Sequence, residues 1–146
     1  MSVTVRWSGH ILAQQQRQRL HAAILRSAVL IHNRARVLCS QPAKRITRRR
    51  TRTTSAGRRG STYTHYVPSR PGQPPALRTG FGRSSITWWQ IDDLTARIGI
   101  RANGVYMAYL ETGTRRIARR PWLSRALDEC RDAVTTLLAD AARITP

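Results

Sequence analysis

The first 91 residues of this 146-residue chain contain no aspartate and no glutamate. All seven acids, Asp92, Asp93, Glu111, Asp128, Glu129, Asp132 and Asp140, come later, while 17 of the 26 basic residues come earlier. Residues 1–91 therefore carry +17 and residues 92–146 only +2. A field of that sign calls for a polyanionic partner, nucleic acid first and an anionic membrane surface second, with a solvated basic face as the plain alternative. Lysine is almost missing too: Lys44 stands alone, so the charge is guanidinium, suited to bidentate pairing with phosphate and carboxylate. Two cysteines, Cys39 and Cys130, make no disulfide framework and fit a reducing cytoplasm, each on the apolar face of a helix. No stretch reaches the roughly 18 apolar residues of a membrane span, and the first residues lack the apolar centre of a signal peptide, which predicts a soluble chain.

Catalytic signatures are missing as well. There is no His-Glu-x-x-His, no paired Cys-x-x-Cys and no Gly-x-Ser-x-Gly, so no enzyme and no cofactor is expected. Gly80-x-Gly82 lacks the rest of a phosphate-binding fingerprint and reads as a turn. Asp92 and Asp93 read as a hairpin turn, because neighbours on a strand point to opposite faces. His10, His21 and His32 share a helical face, but steps of eleven residues separate them by about 16 Å, too far to share a metal.

What is present fills one domain. Val3, Val5 and Trp7 alternate with polar residues as a short edge strand does. From His10 to Cys39, Leu20, Ile24, Ala28, Ile31, Ala35 and Leu38 form one stripe of a long helix, ended by Ser40-Gln41-Pro42. Residues 40–80 are an extended Arg/Pro-rich arm. Lys44, Arg45, Arg48, Arg49, Arg50, Arg52, Arg58 and Arg59 share one stretch with a single strong apolar residue, Ile46, which cannot bury enough to fold alone. Ser61–Val67 has the composition of a strand, either a hairpin tip or a segment paired with a neighbour. Pro68, Pro71, Pro74 and Pro75 stiffen the return towards polyproline II geometry.

Beyond the arm, 85–91 and 94–100 read as two strands joined at Asp92-Asp93. Asn103-Gly104 is a hairpin signal leading into Val105–Leu110, a third strand of a meander or a short helix. Pro121 opens a last helix running to about Ile144, with Leu123, Leu127, Cys130, Val134, Leu137, Ala141 and Ile144 along one stripe. Trp88, Trp89 and Trp122 are core and interface residues. The expected fold class is α+β: two long amphipathic helices packed on a small antiparallel sheet, with a long basic arm between the first helix and the sheet.

Between the last two elements lies Tyr106-x-x-Tyr109-Leu110-Glu111-x-Gly113-Thr114, then a basic spacer ending in Arg120, then Pro121-Trp122-Leu123. Gly113 suits a sharp turn, and Glu111 beside Arg115, Arg116, Arg119 and Arg120 suits an ion pair across the turn or to a neighbouring subunit, or else a simple cap. This order resembles the Tyr-Ala-x-x-x-Glu-Phe-Gly-Thr and Arg-Pro-Phe-Leu signature of tailed-bacteriophage neck proteins, also called tail-completion or head-tail connector components. Thr112 and Trp122 stand where that family has Phe. Upstream, Pro71-Gly72-x-Pro74-Pro75 and Thr79-Gly80-x-Gly82-Arg83-x-Ser85-Ile86 resemble the family's Pro-Gly-x-Pro-Pro and Thr-Gly-x-Leu-Arg-x-Ser-Ile. Gly82 replaces the Leu, with Phe81 the substitute apolar anchor.

The resemblance implies a structural virion protein of the head–tail junction, assembled in the host cytoplasm. It would be a homo-oligomeric ring, six- or twelve-fold, between head-completion or connector proteins and a tail terminator, around a DNA passage held nonspecifically through phosphates. The other reading is a stand-alone, sequence-nonspecific nucleic-acid-binding protein that uses the basic arm.

Overall fold

The computed structural model describes residues 9–55 and 57–143; the edge strand expected at Val3–Trp7 and the helix end at Ile144 lie outside them. The fold is α+β. Helix α1 (Gly9–Leu38) is followed by strands β1 (Lys44–Thr54) and β2 (Gly57–Val67), a short helix α2 (Phe81–Ser85), strands β3 (Ile86–Asp92) and β4 (Thr95–Ile100), helix α3 (Val105–Thr112) and helix α4 (Leu123–Ala142).

Helix α1 buries the stripe its spacing predicts: Ala28, Ile31 and Ala35 are buried, and Leu20, Ile24 and Leu38 are half-buried. These small residues let α4 and the β3–β4 hairpin pack on it, closing a core of Ile31, Ala35, Cys39, Ile86, Met107, Leu110, Trp122, Ala126 and Cys130. On α4 the buried face runs through Ala126 and Cys130, and Leu127, placed in the stripe by spacing, is 48% exposed. Helix α4 also starts later than Pro121, with Trp122 in the cap position.

The β3–β4 hairpin turns at Asp92-Asp93, where the Asp92 carboxylate accepts the Leu94 N–H at 2.8 Å. No third strand follows. Asn103-Gly104 lies in a 3₁₀ turn, Ala102–Gly104, and Val105 begins α3, so the short helix is observed and the meander is not. The physical reason is twofold. A type I′ hairpin turn needs positive φ at both central residues, whereas Gly104 has φ −96°. And Met107 and Leu110, three apart, are buried together, a helical and not a strand spacing.

The largest departure concerns residues 44–67. The supposed arm is a regular antiparallel ribbon: β1 and β2 pair over eleven residues, from Lys44 opposite Val67 to Thr54 opposite Gly57. Ser61–Val67 is thus the returning strand, paired within the chain, and the tip lies near Gly57, whose φ of 110° needs glycine. Backbone pairing does not require a buried face, which is why poverty in apolar residues did not preclude regular structure. The ribbon is pinned at its root, where Leu77 N–H donates to the Gln41 carbonyl at 2.6 Å and Ala43 N–H to the Leu77 carbonyl at 3.0 Å. The return path is not a continuous stiff rod: Pro71 and Gly72 occupy the corners of a turn closed by Gln73 N–H to the Arg70 carbonyl at 3.1 Å, with Gly72 at φ 79°.

Gly80, at φ 81°, leads into α2. Phe81 does not supply the apolar anchor missing at Gly82, since it is 53% exposed. The buried Met107 supplies it: a Cβ at residue 82 would lie 2.6 Å from the Met107 sulfur. Ser85 is buried beside Gly104, its hydroxyl donating to the Gly82 carbonyl at 2.7 Å.

Candidate functional site

Two regions hold the residues singled out above. The first is the junction between α3 and α4. Helix α3 stops at Thr112 because Gly113 takes φ 77°, and its N–H donates back to the Tyr109 carbonyl at 2.9 Å. Residues 114–117 form a small closed loop, in which the Thr114 hydroxyl accepts the Ile117 N–H at 3.0 Å. The chain then runs back along α3, with Arg120 N–H on the Leu110 carbonyl at 2.6 Å.

This return brings Glu111 to the start of α4. One carboxylate oxygen accepts the N–H groups of Trp122 and Leu123 at 2.7 and 2.8 Å; the other accepts Ser124 N–H at 3.0 Å and the Ser124 hydroxyl. The first turn of α4 is thereby capped by a carboxylate lying eleven residues upstream, which also meets the positive end of the helix dipole. Burial works to raise the Glu111 carboxyl, but the Ser124 hydroxyl and the N–H groups of Leu123, Trp122 and Ser124 outweigh it and hold it below its ordinary value of 4.5. Of the two roles expected for Glu111, capping is the one observed. Among the described residues it forms no ion pair with Arg115, Arg116, Arg119 or Arg120.

Those arginines that flank the return serve carbonyls instead. Arg119 Nε donates to the Glu111 carbonyl at 3.0 Å, and Arg120 Nε reaches the Ser69 carbonyl at 3.1 Å. The upstream motif joins here, since Gly72 N–H donates to the Arg119 carbonyl at 2.9 Å. Trp122 is 2% exposed and gives its indole N–H to the Met107 carbonyl at 2.9 Å. Pro75 is buried and Pro74 half-buried on the same return path. Thus Pro71, Gly72, Gly113, Thr114, Arg120, Pro121 and Trp122, far apart in the chain, belong to one knot. Tyr106 lies outside the knot: it is 60% exposed, beside a cleft of about 350 Å³ that Phe81, Met107, Leu110, Arg83 and Arg120 also line.

The acid is consumed as a cap, and burial, reinforced by the Glu111 charge, pushes the Cys39 thiol up to about 12. Among the described residues no group of three His, Cys, Asp or Glu could hold a metal.

The second region is the ribbon. Apart from Ile46 and Val67 at its root, which are half-buried, every residue whose exposure is described is exposed, and neither outer edge pairs with another strand of the described residues. The register sorts its side chains. Lys44, Ile46, Arg48, Arg50 and Arg52 alternate to one face with Tyr63 and His65. Arg45, Thr47, Arg49, Thr51 and Thr53 take the other with Arg58, Thr62, Thr64 and Tyr66. Arg52 stands opposite Arg59 in register. The alternation of Arg and Thr along 45–53 carries this sorting in the sequence, given 57–67 as the partner strand.

The long helices do not qualify as membrane spans: no described helix is long and apolar enough to cross one. No protein-family model, curated protein or solved structure matches the chain.

Proposed function

We propose that this chain is a structural subunit of a tailed-bacteriophage head–tail junction, one copy of a ring joining the connector to the tail around the DNA passage. The observation that carries the reading is the ribbon. Eleven paired residues project two exposed faces and two open edges, and an isolated two-stranded ribbon is marginal in water. A surface of this kind is completed by neighbours. The junction motif supports the same reading, because its residues build a corner that directs the last helix. The exposed Tyr106, Tyr109 and Phe81 add aromatic surface of the sort that subunit contacts use.

Mechanistically the subunit docks and makes or breaks no bond. The α3–α4 knot fixes the direction of the last helix, while the ribbon reaches beyond its own domain. The partners on this reading are further copies of the chain, in six- or twelve-fold symmetry, the head-completion or connector and tail-terminator proteins, and the threaded genome.

The test is assembly. Sedimentation and negative-stain micrographs of the purified chain, alone and with its connector, should reveal closed rings, and particles lacking the chain should have filled heads without tails. A monomer at all concentrations that is absent from particles and binds nucleic acid by itself would favour the stand-alone binding reading.

A further inference from the structure

The ribbon's two faces differ in kind. One carries Lys44, Arg48, Arg50 and Arg52, with Arg59 in register with Arg52, and no threonine between them. Its only aromatic ring away from the root is Tyr63. None of Lys44, Arg48, Arg50 and Arg52 makes an ion pair among the described residues. The opposite face is rich in threonine, and two of its side chains are already engaged. The Arg49 guanidinium lies across Gly60, so close that a Cβ there would sit 3.0 Å from its Nε. Tyr66 lies beneath Arg78, whose guanidinium carbon is 5.3 Å from the ring centre.

We infer that the face bearing Lys44, Arg48, Arg50 and Arg52 binds the phosphate backbone of double-stranded DNA without sequence preference, and that the threonine face does not. Spacing favours a regular duplex. Arg48, Arg50 and Arg52 recur every second residue, about 6.8 Å along an antiparallel strand, and a duplex carries one phosphate charge per about 1.7 Å of its axis, so a regular row of cations faces a regular, dense array of anions. A two-stranded ribbon also matches the width of the major groove. Single-stranded DNA is the poorer match, because its binding sites depend on rows of stacking aromatics and this face offers only Tyr63, with His65 next to the half-buried root.

This inference rests on the subunit reading for the source of the DNA, but its chemistry is measured separately. Two charge-matched variants of the full chain are compared: R48Q/R50Q/R52Q on one face and R45Q/R49Q/R58Q on the other. Fluorescence anisotropy with a random duplex of about 20 base pairs is read across a salt series. The first variant should reduce the slope of log affinity against log salt by about 2.7, or about 0.9 for each phosphate left without its arginine, and the second by less than about 1. Equal reductions in both variants would overturn the inference, since net charge and not one face would then explain binding. Tighter binding of a single strand of equal length, or no duplex binding by the parent chain at low salt, would overturn it too. Sedimentation of the same samples reports assembly independently: rings with face-selective binding uphold both readings, and face-selective binding without rings upholds this one while the subunit reading falls.

Discussion

Arg120 and Arg48 are the same side chain put to opposite uses. At the α3–α4 junction Arg120 reaches the carbonyls of Ser69 and Ala118, and Arg119 that of Glu111, so their guanidinium groups tie the returning chain to its neighbours. On the ribbon Arg48 is exposed, sits opposite Tyr63 and makes no ion pair among the described residues. Composition alone lumps both into one basic surplus. The structure divides that surplus into cations that hold the fold and cations that the fold holds out, and only the second kind is free to meet a partner.

The division can be broken from the junction side first. Trp122→Ala removes a side chain exposed to only 2% and its hydrogen bond to Met107, and should cost about 3–5 kcal/mol in urea unfolding. A cost below about 1 kcal/mol would mean that the knot is not the centre of the domain. Glu111→Ala leaves three N–H groups and a hydroxyl without their acceptor, an expected cost of about 2–3 kcal/mol. Because the folded-state carboxyl lies below 4.5, the cap is fully present above that pH and is lost as pH falls through the lower folded-state value. Glu111→Gln should therefore flatten the acid limb of stability against pH while remaining weaker than the parent at neutrality. An unchanged acid limb would remove Glu111 as the source of that pH dependence.

Gly113→Val comes next. A Cβ there would crowd Arg119 N at 3.2 Å and the Ile117 carbonyl at 3.3 Å, at a φ of 77° that β-branched residues avoid, so about 1–3 kcal/mol is expected. On the subunit reading the misdirected last helix should also block tail joining while heads still fill with DNA; tailed, infectious particles from this variant would separate the corner from assembly. The smallest effect belongs to the ribbon. Arg50→Glu, between Arg48 and Arg52 on one face, turns like-charged neighbours into opposite ones and should tighten the ribbon by about 0.2–1 kcal/mol, seen as slower amide exchange there and no change in the core.

Much of the body was legible because its signals are local. The apolar spacing of α1, the Asp92-Asp93 turn and the stop at Gly113 each depend on residues within a few positions of one another. What escaped depends on distance. Glu111 as the cap of α4 could not be read from Pro121, because a helix start is ordinarily sought in the residues just before it. The replacement of a missing Leu by Met107 joins positions 82 and 107 through packing alone. The hairpin signal at Asn103-Gly104 lost to the burial of Met107 and Leu110. The ribbon is hard to read for a different reason: it buries little, and its order comes from cross-strand pairing of Thr, Tyr and Val, which leaves no apolar pattern in the sequence.

An element that buries apolar surface only at its root, through Ile46 and Val67, adds little to its domain's melting. The ribbon's pairing is then only loosely tied to the body's stability; an occupant of its faces would raise its order in proportion to that occupant's concentration, while the body unfolds at a temperature of its own. Heating this chain should accordingly reveal two thermometers, one that reads the fold and one that reads the company it keeps.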